Sequence, residues 1–300
     1  MVSPFVSVIV PVFRHAECLE QCLIALERQS YRGDRFEVIV VDNGDNGVSG
    51  GLAAMLRRYP HAALTMERRA GSYAARNTGV AAAQGAVLAF TDADCVPADD
   101  WIARGVAALL RDERNGVVGG AVEFAFRDPL RPSMAELYDS LSFLQQQANV
   151  TERHFAVGAN LFTTRAVFDQ VGGFDARLTS SGDVDFGQRV FAAGYRLDYA
   201  ADAVVVHPAR WSLRELRHKV ARVAGGELTL QRRRGYRGQD FAIDLIKDCL
   251  APLRVVPAAY RDPRLRGRRQ RLQFVAAGLW VRYVRVGERL RVWCGGAPRR

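Results

Sequence analysis

Lysine is almost missing from this chain of 300 residues. Only Lys219 and Lys247 carry an ammonium group, so the positive charge is nearly all guanidinium. Cysteine is scarce and unpatterned. Cys18, Cys22, Cys95, Cys249 and Cys294 form no CxxC pair, and the four-residue spacing of Cys18 and Cys22 on a helix is neither a zinc signature nor a disulfide framework. They read as buried free thiols in a reducing compartment. No uncharged apolar run approaches about 18 residues, which argues against a transmembrane helix. The longest late candidate, Leu272 to Val286, is broken by Arg282 and Arg285. The opening Met1-Val2-Ser3-Pro4 offers neither a basic leader nor a small-residue cleavage site, so no signal peptide is expected. Neither GxGxxG nor GxxxxGK[ST] occurs, which sets aside dinucleotide and P-loop readings. There is no internal repeat.

About half of the residues are apolar, enough for a sizeable core and unlike a disordered chain. The net charge of +10 is unevenly placed: residues 231–300 hold 18 Lys+Arg against 5 Asp+Glu, whereas residues 1–230 hold 24 against 27. The basicity belongs to the tail, and a soft boundary is placed near residue 230.

The first half alternates. Phe5–Val12, Phe36–Val41, Ala63–Met66 and Ala86–Thr91 read as strands. Glu17–Arg28, Leu52–Tyr59, Tyr73–Ala83 and Asp99–Arg111 read as helices, with Gly85 as a stop after the third. Such alternation implies an α/β fold with a mostly parallel central sheet flanked by helices, whose ligands sit at the carboxyl ends of the strands. Further on, Val117–Phe126 is expected as a long strand and Met134–Ala148 as a helix. Gly158–Thr164 reads as extended and Val184–Ala193 as helical. Tyr195–Tyr199 and Ala203–Val206 read as two strands, and Leu213 to about Leu230 as a helix. Basic helices separated by Pro252, Pro257 and Pro263 follow.

Chemistry concentrates at the strand ends. Val10-Pro11-Val12-Phe13 and Val41-Asp42-Asn43-Gly44-Asp45-Asn46-Gly47 would share one rim, which suits reading a base and ribose, although such residues also make simple loops. Phe90-Thr91-Asp92-Ala93-Asp94 places two carboxylates at i and i+2, on the same side of an extended backbone. They would repel each other unless a hard divalent ion lay between them and phosphate oxygens; the alternative is a solvated turn before Pro97. Asp183 and Asp185 open a helix, where an N-terminal capping role is the plain alternative to chemistry.

In order and spacing, these segments resemble the family 2 glycosyltransferases of the GT-A fold. The resemblance is carried by Ser-Val-Ile-Val-Pro-Val-Phe, Val-Ile-Val-Val-Asp-Asn-Gly, Ala75-Arg76-Asn77-Thr78-Gly79, Phe90-Thr91-Asp92-Ala93-Asp94, Gly158-Ala159-Asn160-Leu161-Phe162, Gly172-Gly173-Phe174-Asp175 and Gly182-Asp183-Val184-Asp185. It covers residues 5 to about 225. It implies a nucleotide-diphospho-sugar transferase domain over 1–230, with a nucleotide-sugar-binding half (1–115) and an acceptor-binding half (116–230), and a basic helical C-terminal extension over 231–300. It implies that Pro11, Val12, Phe13, Asp42, Asn43, Arg76, Asn77, Asp92 and Asp94 bind the nucleotide-sugar donor. Asp94, Asp92 and His207 would hold a divalent metal, Mg or Mn. Asp183 would be the general base, with Asp185 in reserve, and Asn160 and Gly182 would face the acceptor. One departure stands out: the family usually has Glu-Asp where this chain has Gly182-Asp183, which bears on the acceptor.

The implied activity is metal-dependent, inverting transfer of a sugar to an acceptor hydroxyl, with an acceptor glycan or lipid-linked glycan. The implied place is the cytoplasm, at the inner face of the plasma membrane. The basic tail mixes Phe274, Leu279, Trp280, Tyr283 and Trp293 with arginine as interfacial helices do, which points to peripheral membrane contact. A solvated basic surface is the plain alternative, and nucleic acid binding ranks below both. A sugar-1-phosphate nucleotidyltransferase is disfavoured because the N-terminus lacks a glycine-rich loop. A non-catalytic member of the same fold draws only on the Gly182 departure.

Overall fold

The computed structural model describes residues 3–13, 16–44, 49–250 and 252–299, so the loop residues Asp45, Asn46 and Gly47 and the start Met1-Val2 lie outside the described residues. Two compact units emerge. A sheet unit takes in Met1–Glu123, Leu144–Arg177 and Gly182–His207; a helical unit takes in Phe124–Phe143, Leu178–Ser181 and Pro208–Arg300.

In the sheet unit the elements follow the expected alternation. They are β1 (Val6–Val12), α1 (Ala16–Glu27), β2 (Phe36–Asp42), α2 (Ser49–Leu56), β3 (Ala62–Met66), α3 (Ser72–Ala82), β4 (Val87–Thr91), β5 (Val96–Pro97) and α4 (Trp101–Leu109). The β-branched run of β1 is buried because both its edges are paired: Val12 lies opposite Asp42 of β2, and Ile9 opposite Phe90 of β4, all in parallel. β3 adds to β2 in parallel, with Asp42 opposite Met66. On α1 the buried residues Leu19, Cys22, Leu23 and Leu26 recur at helical spacing. Burial pushes the Cys22 thiol far up, as expected of a core thiol, and Cys95 is likewise buried; Cys18 and Cys294 are exposed instead. Helix α3 ends at Ala82, ahead of Gly85. A Cβ on Gly85 would stand 2.5 Å from the backbone nitrogen of Ser7, so this glycine serves close approach to β1 rather than helix termination.

Beyond α4 the chain departs from simple alternation. The elements β6 (Asn115–Ala125), α5 (Met134–Ser142), α6 (Gln146–Arg153), β7 (Asn160–Thr164), α7 (Arg165–Val171), α8 (Gly182–Ala192) and β8 (Arg196–Pro208) follow. The sheet order is β3-β2-β1-β4-β7-β6-β8-β5. β7 pairs antiparallel with β4 and β6, and β5 pairs antiparallel with β8, so the sheet is mixed rather than mostly parallel. The single helix expected over 134–148 is two, because Leu144 adopts φ 52°. Phe143 packs in the core of the helical unit and Leu144 in that of the sheet unit, and the two demands break a periodic run that has no glycine or proline. The two late strands are one, β8; its Ala200-Ala201-Asp202 centre has low strand propensity and is held extended by the sheet.

In the helical unit, α5 opens with a reciprocal capping box between Ser133 and Glu136. The other helices are α9 (Leu213–Arg233), α10 (Gly238–Cys249), α11 (Pro252–Arg261) and α12 (Gly267–Trp293). The boundary expected near residue 230 falls inside α9. Tyr138, Leu216, Val220, Val255, Ala259, Phe274 and Val281 form the core. Lys219, one of the two lysines, pairs with the fully buried Asp139 at 2.6 Å. Several tail arginines are neutralised within the unit: Arg282 by Asp248 at 2.9 Å, Arg285 by Glu227 at 2.7 Å and Arg289 by Asp244 at 2.9 Å. Three tail aromatics also turn inward. Phe274 lies against Tyr138, Trp280 packs on the core, and Trp293 stacks on Phe241 at 4.3 Å between centroids. Among the described residues no helix is long and apolar enough to cross a membrane.

In the sheet unit, Phe162 of β7 lies between Trp101 and Gly105, where a Cβ would stand 2.2 Å from its ring. Gly105→Ala is therefore expected to cost about 1–3 kcal/mol by overpacking, read as a lowered denaturation midpoint. An unchanged midpoint would mean that the ring moves aside freely.

Candidate active site

The carboxyl ends of β1, β2 and β4 and the start of β7 share one rim, because the register sets Val12 beside Asp42 and Thr91 beside Asn160. Pro11 is half-buried and Phe13 exposed there, while the Val12 side chain turns into the core. The Val12 carbonyl accepts from the Asn43 backbone nitrogen at 2.9 Å, which fastens the two strand ends together. Asp42 is buried and accepts from the Gly44 nitrogen at 2.9 Å. Asn43 is consumed locally. Its amide donates to the carbonyls of Glu67 and Arg69, and its oxygen accepts from the Gly71 nitrogen, pinning the loop that leads into α3. Glu67 anchors the same loop, and the Thr78 hydroxyl first, then the Arg69 backbone nitrogen, hold its carboxyl down at about 2.

On α3, Arg76 is buried and donates to Asp92 at the end of β4; its Nε is buried without a partner. Asp94 follows two residues on. The antiparallel pairing of Val96 with Val206 brings His207 back to this point, with its Nε2 3.8 Å from an Asp94 oxygen. Asp94, Cys95 and His207 each offer one ligand atom, all within 4.8 Å of one another. The Asp94 carboxylate and the His207 imidazole are donors that can ligate a divalent ion, whereas Asp92, two residues earlier, lies outside this group and is held by Arg76. The Cys95 thiol belongs to the core wall. Burial first, and Asp92 and Asp94 second, raise it well above its usual range.

Asp183 stands in the first turn of α8. One oxygen accepts from the Tyr73 hydroxyl at 3.1 Å and from the Val184 nitrogen at 3.0 Å, the other from the Gly158 nitrogen at 3.4 Å. Asp185, the reserve candidate, is tied instead to Arg189 at 2.9 Å, and Arg189 donates to the carbonyls of Val171, Gly172 and Gly173. Two expected ligand residues prove to be straps. The Asn77 amide brackets the backbone of Phe174 in both directions. Asn160 is fully buried, accepts from the Trp101 indole and donates to the carbonyls of Ala121 and Ala203. The polar side-chain atoms of Asn160, expected to face the acceptor, are engaged inside the fold.

Tyr73 was not singled out in the sequence, yet it joins the two ends of the site. Its hydroxyl meets Asp183, and its ring lies 5.8 Å from the guanidinium of Arg76, which holds Asp92. The signal available was spacing, since Tyr73 and Arg76 share one face of α3 at i and i+3. Tyr73 also accounts for Gly182. A Cβ at that position would stand 2.7 Å from the tyrosine ring, so the aromatic ring takes the space beside Asp183.

A parallel β-α half-sheet joined to antiparallel strands, with carboxylates on the rim, defines a GT-A nucleotide-diphospho-sugar transferase fold. A mannosyltransferase from Pyrobaculum calidifontis, solved with GDP-Man and Mn²⁺, superposes with a TM-score of 0.68 at 20% identity, over 98% of this chain and 89% of that one. The profile of Glycosyl transferase family 2 matches residues 7–172. Glycosyltransferase AglE of Haloferax volcanii is 41% identical over 229 residues, 75% of this chain and 73% of AglE. A pre-mycofactocin glycosyltransferase of Mycobacterium tuberculosis is 30% identical over 220 residues, 70% of this chain and 44% of its own length. The chain belongs to glycosyltransferase family 2.

Gly182→Ala is expected to cost about 1–3 kcal/mol through the collision with Tyr73. In a Tyr73→Ala background the cost should shrink by at least about 0.5 kcal/mol. Strictly additive losses in denaturant melts would show that the ring is not the obstacle.

Proposed function

We propose that this transferase is metal-dependent and inverting, and that it moves a sugar from a nucleoside diphosphate sugar to an acceptor hydroxyl. The carrying observation is the approach of His207 to Asp94, which follows a buried strand and stands two residues after Asp92. Asp94, Asp92 and His207 would hold the divalent ion, which when bound supplies neutralisation of charge on the leaving diphosphate. Arg76 holds Asp92 in place. Pro11, Phe13 and Asp42 line the rim where base and ribose would lie. The complex of the Pyrobaculum enzyme makes GDP-Man with Mn²⁺ the first donor and metal to test.

Asp183 is the general base in this reading. It takes the proton of the acceptor hydroxyl as that oxygen bonds to the anomeric carbon. The bond from that carbon to the diphosphate oxygen breaks on the opposite face, and the nucleoside diphosphate leaves with the electron pair. A single displacement of this kind inverts the anomeric centre. Asp185 is the weaker choice because Arg189 neutralises it. The non-catalytic alternative loses its footing, since Tyr73 fills the space beside Asp183 that Gly182 leaves. We place the enzyme on the cytoplasmic side of the plasma membrane, acting on a glycan or lipid-linked glycan. The basic C-terminal segment supports that placement.

Asp183→Asn is expected to lower kcat by about 10²–10⁴-fold while donor affinity stays within about twofold; full turnover would remove Asp183 as the base. Asp94→Ala is expected to abolish the Mn²⁺-dependent part of GDP binding in calorimetry. Unchanged binding with and without Mn²⁺ would defeat the metal assignment.

A further inference from the structure

The tail aromatics that suggest membrane contact in the sequence mostly turn inward, yet the helical unit shows a different apolar row to solvent. Ile243 and Ile246 on α10, Leu250 just after its end, and Leu253, Val256 and Tyr260 on α11 are all exposed, the last three at the three- and four-residue steps of one helix face. Leu253 is 72% exposed and Tyr260 57%. The opposite side of α11 buries Val255 and Ala259 in the core, so the outward row is not an accident of a loosely packed helix.

Around this row the charge has one sign. Residues 250–272 hold seven arginines and one acid, Asp262. Arg264 engages that acid at 2.8 Å. Arg254, Arg261, Arg266, Arg268 and Arg269 are exposed. They contrast with Arg282, Arg285 and Arg289 of α12, which are neutralised inside the unit.

We infer that α11, with the end of α10 and the basic turn leading into α12, is a seat for an anionic lipid bilayer. The apolar row would enter the boundary between headgroups and acyl chains, while the flanking guanidinium groups bind lipid phosphates. A second copy of this chain is a poor occupant, because it would set arginine against arginine. A nucleic acid has no use for the exposed leucines between the cations. The inference deepens the membrane placement proposed above and is independent of the roles of Asp94 and Asp183.

The test is flotation of the full chain with phosphatidylcholine vesicles, with and without about one-third phosphatidylglycerol. The expected result is capture by the anionic vesicles only. Leu253→Ser with Tyr260→Ser, and separately Arg268→Glu with Arg269→Glu, should each reduce capture by about tenfold or more. Both variants should keep the wild-type melting temperature and its rise with GDP and Mn²⁺. Failure of the wild type to float, equal capture by neutral vesicles, or full capture of both variants would overturn the inference. So would concentration-dependent dimerisation that Leu253→Ser with Tyr260→Ser abolishes, since a second copy would then be the occupant. A null flotation with an intact response to GDP and Mn²⁺ would leave the transferase reading standing.

Discussion

Parallel pairing of β1 with β2 on one side and β4 on the other is the constraint on which the sheet unit's chemistry depends. A one-residue slip in either pairing would turn every side chain of a strand to the other face. Asp42 would no longer lie beside Val12, nor would Thr91 deliver Asp92 and Asp94 to the same rim. The register is fixed by burial, since Val6, Val8, Ile9 and Val10 are all fully enclosed. The antiparallel strands then close the site from the other side. β7 begins where β4 ends, and β8 returns His207 to Asp94.

Much of the polar sequence around that rim is scaffold. Asn43 and Asn77 spend their amides on backbone groups of loops, and Asn160 donates to the Ala121 and Ala203 carbonyls of β6 and β8 while accepting from the Trp101 indole. Buried polar backbone must be satisfied, and a short rigid amide can supply a donor and an acceptor at once. These hydrogen bonds hold the shape of the site. Tyr73 links the carboxylate at the base position to the arginine that holds Asp92. Gly182 leaves the space beside Asp183 that the ring of Tyr73, on another helix, occupies.

The helical unit works under a different constraint, that of enclosing arginine. Fully buried cations are costly unless paired and hydrogen-bonded. Here Asp244, Asp248 and Glu227 from α9 and α10 receive the inward guanidinium groups of α12. The net charge of the tail therefore concentrates around α11, where Asp262 is the one acid among residues 250–272.

The strands and helices of the first half were legible because their periodicity is local and strong. The carboxylates were legible as a group because they follow immediately on buried strands. The break at Leu144, the fusion of two short strands into β8 and the inward turn of Phe274 and Trp293 were not legible. Each depends on neighbours far away in the chain, and local pattern is silent about them. The sequence alone determined the α/β order, the family and the carboxylates at the strand ends, since these follow from adjacent residues. Only the tertiary structure decided that Asn160 is a strap, that Tyr73 stands beside Asp183, and which arginines face water. Those outcomes depend on which side chains meet across elements, and that is settled by packing.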